Sequence, residues 1–377
     1  MVFIALLLSI IGILEIFTID KNLAYKQISY LIFSVLFGYL IYRYFKVAYI
    51  RILFYPILFL TIILLILVHF SPSDVNRWID LKFFYFQPSE LSKILLAFMF
   101  YLYNPSEKFF KVSFIILTLF ILILTQPDLG FAFSIVFVSF MIFYYANVNR
   151  NLLLFLLFSI IAIFSSFNII MFFFSFLVLI LINYLLKSKW YWSITSILTF
   201  IFIGVITPII WYNVLKPYQR ARIIAFLNPE AYKQSEAYQI YQAQIAIGSG
   251  KIFGKGYDKG TQKKYDFLPA SHTDFIFSSI CEDFGFIGGF SIITLIFILI
   301  LRMLFVFLKV EDEQLKRFTL TLILFFIYSF VINISVNLAI LPAKGYPLLF
   351  MSYGGSHMLI DYICLFLIMW VKKVSTF

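Results

Sequence analysis

Long apolar stretches, each followed by a short polar segment, recur along the whole chain. They lie near residues 2–17, 28–42, 47–68, 89–103, 112–126, 130–146, 190–212, 286–308, 318–340 and 356–371. A helix needs about 20 apolar residues to cross the roughly 30 Å hydrocarbon layer of a membrane. A further run at 152–186 is too long for one crossing, so it predicts two helices divided near 165–168. The pattern therefore predicts an all-α polytopic transmembrane bundle with twelve spans.

The composition agrees with a membrane protein and excludes an ordinary soluble domain. Of the 377 residues, 63% are hydrophobic and 12% are charged, whereas soluble domains carry roughly 25% charged residues. A transmembrane β-barrel would show alternating segments of about 10 residues, but these runs are continuously apolar. The first run lacks a preceding basic residue and a small-residue cleavage site, so we expect a retained span rather than a signal peptide.

Basic residues in the short loops fall mainly on one side of the predicted bundle. Numbering the loops alternately places fourteen Lys and Arg residues on the side of both termini and five on the other side. The positive-inside rule therefore predicts that both termini are cytoplasmic. The one long polar segment, 213–273, then becomes a large extracytoplasmic loop within a single integral membrane domain of residues 1–377. Its nine basic residues predict either a solvated surface or a binding site for anionic phosphate.

Several other kinds of site are disfavoured by the residues. Two lone cysteines make no disulfide framework, and the three histidines lack the spacing of metal ligands, so we predict no metal site built by the protein. The segment 254–256 has glycines around a lysine, but no Ser or Thr follows that lysine, as a nucleotide phosphate loop requires. These glycines are more typical of tight turns and close backbone approach to a substrate.

Short motifs in the predicted outer loops resemble the signature segments of the RodA/FtsW family. The motifs are 77–81 (RWIDL), 87–93 (QPSELSK), 126–130 (QPDLG), 217–223 (PYQRARI), 226–230 (FLNPE), 244–250 (QIAIGSG), 253–256 (FGKG), 260–262 (GTQ), 267–269 (FLP), 272–277 (HTDFIF), 345–350 (GYPLLF) and 352–356 (SYGGS). They occur in the family's order, and 254–262 looks more like RodA than FtsW. Because the family usually has ten spans, twelve predicts an additional hairpin at about 151–189.

The resemblance implies a peptidoglycan glycosyltransferase that polymerises lipid II at the outer face of the bacterial cytoplasmic membrane, for cell elongation and shape. Its donor would be a glycan on undecaprenyl pyrophosphate, and the displacement would invert the anomeric carbon. Asp274 matches the family's catalytic aspartate, which would take the proton of the acceptor hydroxyl. From the residues alone, Asp274 or Thr273 could instead simply cap the helix that starts near Phe275.

Further candidate substrate contacts lie near the same membrane boundary. The basic candidates for binding pyrophosphate are Arg77, Lys82, Arg220, Arg222, Lys255, Lys263 and Lys264. Two of them, Arg220 and Arg222, could equally be interfacial anchors. Thr273 and Ser352 complete the polar candidates, and a turn or cap is the alternative role for Ser352.

Glu90 and Lys93 are a separate candidate pair at the start of a predicted span. Their spacing of three residues would place them on one helix face, where they could pair. Because charges are costly in lipid, the pair should face the protein interior or a cavity. We therefore expect either a purely structural ion pair or groups that line the floor of a substrate cavity.

The resemblance implies partners in addition to lipid II and membrane lipid. It implies a class B penicillin-binding protein as the transpeptidase, other membrane proteins of the elongation complex and no nucleic acid. The sequence demands no cofactor, and a divalent cation such as Mg²⁺ could bridge pyrophosphate and acidic residues. The alternatives are a lipid II transporter, an FtsW-like division polymerase and a noncatalytic scaffold. Ionisable motifs crowd one face and no internal repeat is apparent, which favours an enzyme over a transporter.

Overall fold

In the computed structural model of the protein, the described residues are 1–70, 77–80, 85–126, 128–213, 220, 224, 238–342 and 345–375. Helices account for most of them. The helices before the long loop are α1 (Val2–Ile19), α2 (Lys21–Tyr44), α3 (Val47–Leu67), α4 (Leu91–Leu102), α5 (Phe109–Leu124), α6 (Leu129–Tyr145), α7 (Arg150–Ser165), α8 (Ile169–Leu185) and α9 (Trp190–Asn213). The later helices are α10 (Tyr238–Gly250), α11 (Thr261–Lys264), α12 (Ile276–Lys309), α13 (Glu313–Asn337) and α14 (Gly355–Ser375).

Short elements of other kinds lie between α3 and α4. One turn of 3₁₀-helix, Val68–Phe70, extends α3, and another, Pro88–Glu90, leads into α4. Strand β1 (Ile79–Asp80) pairs antiparallel with β2 (Tyr85–Phe86), with Ile79 opposite Phe86. Strand β1 lies within the motif at 77–81, and β2 ends directly before the motif at 87–93.

The all-α polytopic architecture predicted from the apolar pattern is confirmed. Within the described residues, six helices have the length and hydropathy of membrane spans, namely α1, α2, α3 with its 3₁₀ extension, α9, α12 and α13. The apolar helices α5 to α8 are shorter, with 16 or 17 residues each. The long run at 152–186 does divide into α7 and α8, because Asn168 accepts bonds from the backbone N–H groups of Ile170 and Met171 and so starts a second helix.

One predicted boundary is wrong. Helix α12 begins at Ile276, ahead of the apolar run predicted from residue 286, and Gly285 interrupts it with φ 67° and ψ −161°. Glycine tolerates this backbone conformation because it lacks a Cβ. Residues up to Asp283 are buried despite the charges of Glu282 and Asp283, so hydropathy missed this first part of the helix, whereas the helix start expected near Phe275 agrees with the structure.

Contacts between helices divide the chain into two compact units. The larger contains residues 1–142 and 232–377, and the smaller contains residues 143–231. In the larger unit, α14 packs against α2, α13 against α4, and α10 against α12. In the smaller unit, Phe158, Leu179 and Phe200 form the core between α7, α8 and α9. The expectation of a single integral domain over 1–377 stays a prediction.

Close packing in the larger unit depends on small residues. A side chain at Gly12 of α1 would collide with the backbone of Met351, and one at Gly38 of α2 would collide with the Phe366 ring. Trp370 and Tyr362 of α14 are among the largest fully buried side chains. The segment that follows α13 is thereby held against α1, while α14 is held against α2.

Candidate active site

Asp274 lies in the turn that leads into α12. The turn is closed by bonds from the backbone N–H groups of Thr273 and Phe275 to the Ala270 carbonyl, at 3.0 and 3.2 Å. Phe275 occupies the N-cap position of α12, and among the described residues no side chain makes a capping hydrogen bond there. The Thr273 hydroxyl donates to the Ala270 carbonyl instead, at 3.2 Å. Neither Asp274 nor Thr273 therefore caps α12, which removes the purely structural alternative for Asp274.

Two amides at the end of α13 hold the backbone of Asp274. The Nδ2 atoms of Asn333 and Asn337 each donate to the Asp274 carbonyl oxygen at 2.9 Å. The Asn337 Oδ1 atom accepts from both the N–H and the hydroxyl of Ser278, at 3.1 and 2.6 Å. The spacing of four residues puts both amides on one helix face. We did not predict these two residues, although two amides at that spacing in an apolar span were a usable signal.

Ser352 braces the same turn from the segment before α14. Its hydroxyl donates to the Thr273 carbonyl at 2.7 Å and accepts the Leu348 N–H at 2.8 Å. The Tyr353 N–H donates to the His272 carbonyl at 2.9 Å. Because Ser352 is fully buried and its hydroxyl is engaged on both sides, the structure makes it a support of the turn rather than the substrate contact that we predicted.

The Asp274 carboxyl is half-buried and lies beside other charges. A Cβ added to Gly345 would be 3.3 Å from Asp274 Oδ2 and 3.8 Å from Arg77 Nη1, so both side chains border this glycine. Burial and the nearby Asp128 raise the pKa of Asp274 to about 6, against the opposing charges of Arg77 and His357. A general base works best when its pKa lies near the working pH.

Asp128 and Arg77 are both held at the segment between α5 and α6, which Asp128 belongs to and to which Arg77 bonds. The buried Asp128 carboxylate accepts from Gln87 Nε2 at 2.7 Å and from the Phe131 N–H at 3.2 Å. Burial raises the pKa of Asp128 as well. Arg77 Nε donates to the Gln126 carbonyl at 3.1 Å. The structure thus brings the predicted Arg77 close to Asp274, together with Asp128, an acidic residue of the 126–130 motif that was not among the predicted site residues.

Glu90 and Lys93 form the predicted ion pair, with Lys93 Nζ 2.7 Å from Glu90 Oε2. Both residues are 2% exposed, so the structure encloses them instead of placing them on a surface that a substrate touches. Two further residues that we did not predict complete this buried group. Asp361 lies 3.0 Å from Lys93 Nζ, and His357 lies 3.4 Å from Glu90 and 3.2 Å from Asp361.

Two of the predicted phosphate contacts are engaged by carboxylates. Lys255 Nζ lies 2.5 Å from Glu282 Oε1. Lys263 is 4% exposed, and its Nζ lies 2.7 Å from Glu15 and 2.6 Å from Asp283. Burial alone would lower the pKa of Lys263, but the two carboxylates raise it overall. The half-buried Lys255 thereby anchors the long loop to α12, and the buried Lys263 anchors it to α1 and α12.

Of the remaining basic candidates, the structure describes Lys264 and Arg220 but not Lys82 and Arg222. Lys264 is exposed on the loop, and Arg220 is half-buried. Lys82 and Arg222 lie outside the described residues. The acidic partners Glu15, Glu282 and Asp283 were not predicted as site residues, although a lone acid in the first apolar run was a signal for Glu15.

Taken together, the arrangement can move a proton and hold an anion. Asp274 offers a carboxyl that changes charge near neutral pH, and Arg77 offers a permanent positive charge beside it. Metal-ligand atoms of Glu90, His357 and Asp361 lie within 4.8 Å of one another. The Lys93 ammonium already lies next to Glu90 and Asp361, so the protein supplies its own cation at that cluster.

Comparison with known proteins identifies relatives along almost the whole chain. A family model described as cell cycle protein, for FtsW, RodA and SpoVE, matches residues 1–179 and 168–376. The peptidoglycan glycosyltransferase RodA of Treponema pallidum (strain Nichols) is 34% identical over 316 residues, 74% of this chain and 72% of that protein. The peptidoglycan glycosyltransferase MrdB of Escherichia coli (strain K12) is 30% identical over 294 residues, 76% of this chain and 67% of that protein.

Solved structures share the fold. A chain of a peptidoglycan synthase complex that coordinates polymerisation and crosslinking superposes with a TM-score of 0.73 at 21% identity, covering 99% of this chain and 97% of that one. The rod shape determining protein RodA of Thermus thermophilus superposes with a TM-score of 0.62 at 20% identity, covering 99% and 95%. Since the family model and the relatives also match in sequence, the chain belongs to the RodA/FtsW family.

Proposed function

We propose that this protein polymerises lipid II into glycan strands as a RodA-like enzyme of cell elongation. By its family the chain is a peptidoglycan glycosyltransferase, the activity named for its relatives RodA and MrdB. The observation that carries the mechanism is the Asp274 carboxyl, which is half-buried, has a pKa near 6 and lies beside Arg77.

The proposed reaction is a direct displacement at the anomeric carbon of the donor sugar. A sugar hydroxyl of lipid II attacks this carbon of the glycan that is carried on undecaprenyl pyrophosphate. The new C–O bond forms as the bond to pyrophosphate breaks, and undecaprenyl pyrophosphate leaves with the electron pair. Asp274 accepts the hydroxyl proton, since above about pH 6 its carboxyl is largely ionised. Arg77 is placed to stabilise negative charge on the pyrophosphate, and the displacement inverts the anomeric carbon.

The residues of this site share one end of the larger unit. Asp274 precedes α12, Asp128 precedes α6, and Arg77 lies between α3 and α4. The chain is a bacterial membrane protein, and we propose that this end faces outward while both termini are cytoplasmic. The excess of Lys and Arg in the opposite loops supports this orientation.

The proposed partners come from the same family context. A solved peptidoglycan synthase complex coordinates polymerisation and crosslinking, and one of its chains has this fold. We propose a class B penicillin-binding protein as the partner that crosslinks the strands, alongside other elongation-complex membrane proteins. A requirement for a divalent cation such as Mg²⁺ stays a prediction.

The deciding experiment supplies labelled lipid II to the purified protein, alone and with its transpeptidase, and follows glycan polymer. Asp274→Asn should reduce polymerisation at least about a hundredfold, because the base is removed. Asp266→Asn is the matched control, since Asp266 is exposed in the same loop at φ 54°, a conformation that Asn tolerates. Full polymerisation by Asp274→Asn would exclude the proposed base.

A lipid II transporter is the second candidate function, since a membrane bundle with buried charges suits it as well. The same purified protein in vesicles, supplied with fluorescent lipid II, separates the two. Movement of lipid II across the bilayer without polymer formation would favour the transporter. Polymer that depends on Asp274 would favour the glycosyltransferase.

A further inference from the structure

The buried group around Lys93 is a closed ring of alternating charges. Lys93 Nζ touches Glu90 at 2.7 Å and Asp361 at 3.0 Å. The His357 ring joins the same two acids on its other side, with Nδ1 3.4 Å from Glu90 Oε1 and Nε2 3.2 Å from Asp361 Oδ2. The order around the ring is therefore acid, lysine, acid, histidine. All four residues are at most 4% exposed.

The geometry of the ring determines the charge of His357. Each imidazole nitrogen faces a carboxylate oxygen, and Nε2 is also 3.4 Å from the Leu348 carbonyl oxygen. A neutral imidazole has one N–H and one lone pair, so one nitrogen would direct its lone pair at a carboxylate. A doubly protonated ring instead places a positively charged N–H near each of the two carboxylates.

The charge balance supports the same state. Two carboxylates and one ammonium leave one negative charge in excess, and this group has almost no access to water. An uncompensated buried charge is strongly destabilising, whereas a charged His357 makes the ring neutral. Among the described residues, the charged side chains that act most strongly on His357 are Asp361, Glu90 and Lys93.

The ring is connected to the site of Asp274 through the segment before α14. His357 lies against the Leu348 carbonyl, the Leu348 N–H bonds to Ser352, and Ser352 bonds to the carbonyl of Thr273. The charged groups that act on the Asp274 carboxyl are Asp128, Arg77 and His357. A fixed positive charge on His357 is therefore part of the electrostatic field at that carboxyl.

We propose that His357 is a permanently charged positioning residue, held as imidazolium by the ring with Glu90, Lys93 and Asp361, whose charge favours the ionised form of Asp274. The effect on Asp274 rests on the proposed function, whereas the charge of His357 does not. The ring thus makes the base available at lower pH than burial and Asp128 alone would allow.

Nitrogen NMR of the purified full-length protein tests the charge directly, because ¹⁵N-labelled histidine gives signals from three residues only. His357→Gln identifies which signals belong to His357. At pH 7.5 an ordinary histidine is about one tenth charged, since its pKa is about 6.5. We expect both nitrogens of His357 to be protonated there in the wild type, and to become a neutral tautomer in Asp361→Asn. A neutral His357 in the wild type would overturn the proposal.

A pair of variants tests the effect on Asp274. His357→Gln leaves the ring with an excess negative charge, so the acidic limb of the pH profile of polymerisation should move up by about half to one pH unit. The melting temperature should fall by roughly 5–10 °C. In the double variant His357→Gln/Asp361→Asn the ring is neutral again. The acidic limb of its pH profile and its melting temperature should therefore return most of the way to the wild-type values.

The outcomes separate the two proposals. If Asp361→Asn lowers the melting temperature of His357→Gln further, the charge ring is wrong. If His357 is charged by NMR but its removal leaves the limb unmoved, the influence on Asp274 is wrong. If no variant of Asp274 affects polymerisation, the proposed base fails while the NMR result still decides the charge of His357.

Discussion

The carboxyl groups around the start of α12 are held in opposite ways. The fully buried Glu282 accepts from Lys255 and from the backbone N–H of Thr261 at 2.8 Å, while Asp283 accepts from Lys263. Asp274 is instead fixed through its main chain, and none of the hydrogen bonds found among the described residues ends on its carboxylate.

The difference separates anchoring from chemistry. Glu282 and Asp283 hold the loop because their carboxylates accept hydrogen bonds from its lysines and backbone N–H groups. Asp274 is kept in place by bonds that do not involve the side chain, so the carboxyl can exchange a proton without releasing the turn. The following variants test this contrast.

The largest effect is expected where an anchoring charge is removed. Lys263→Met leaves Glu15 and Asp283 buried without their cation, so we expect the free energy of unfolding to fall by about 3–5 kcal/mol. Thermal unfolding of the purified protein measures this. Lys264→Met is the control, because Lys264 is exposed beside Lys263 and its replacement should change the free energy of unfolding by less than about 0.5 kcal/mol. Equal losses in the two variants would contradict an anchoring role for Lys263.

The next effect concerns the main-chain support of Asp274. Asn337→Ala removes a donor to the Asp274 carbonyl and the acceptor of Ser278, at a cost of about 1–3 kcal/mol. Because the turn is then held less precisely, polymerisation should fall about tenfold to a hundredfold. Asn183→Ala in α8 removes a comparable amide and should cost stability without this loss of rate. A normal rate in Asn337→Ala would show that the carbonyl contacts are dispensable.

A smaller effect is expected at the glycine beside the carboxyl. Gly345→Ala places a Cβ 3.3 Å from Asp274 Oδ2 at a backbone φ of 62°, which should lower stability by about 1–2 kcal/mol. Gly248→Ala in α10 has open space and should raise stability by about 0.5–1 kcal/mol. Unfolding measurements should therefore show a loss of stability in Gly345→Ala and a gain in Gly248→Ala. A change in the same direction in both variants would refute the crowding at Gly345.

The smallest effect is a shift along the pH axis. The rate of polymerisation should fall as pH decreases through about 6, where Asp274 takes up its proton. In Asp128→Asn a neighbouring negative charge is lost, so the pKa of Asp274 decreases and the limb moves to lower pH by about half to one unit. A pH–rate series on both proteins measures this, and an upward shift would contradict the proposed repulsion.

Most of the fold was predictable because span length and hydropathy are local properties. The hairpin of α7 and α8 followed from a run too long for one crossing, and Asn168 marks the turn. The span predicted from hydropathy began too late, at residue 286, because Glu282 and Asp283 give the first part of α12 the appearance of a loop, whereas the helix start near Phe275 agrees with the structure. Their counter-charges come from Lys255 and Lys263, which are distant in sequence and meet them only in the fold.

The site was predictable only in part. The motif around Asp274 indicated the base, and the spacing of Glu90 and Lys93 indicated their pairing. The lysines of the long loop were assigned to phosphate because a sequence shows a positive charge but not the carboxylate that neutralises it. The amides of Asn333 and Asn337 marked a polar position in an apolar span, but their partner is a backbone carbonyl, which the residue pattern does not identify.

The break at Gly285 has a consequence for how α12 opens. Beyond it, the amides of Phe286 and Ile287 bond to the carbonyls of Lys251 and Ile252, at 2.8 and 3.2 Å, instead of to the preceding helical turn. Their hydrogen exchange should therefore report whether the long loop is bound to α12, while amides further along the same helix should report unfolding of the helix itself. Two neighbouring stretches of one helix would thus exchange as members of different cooperative units.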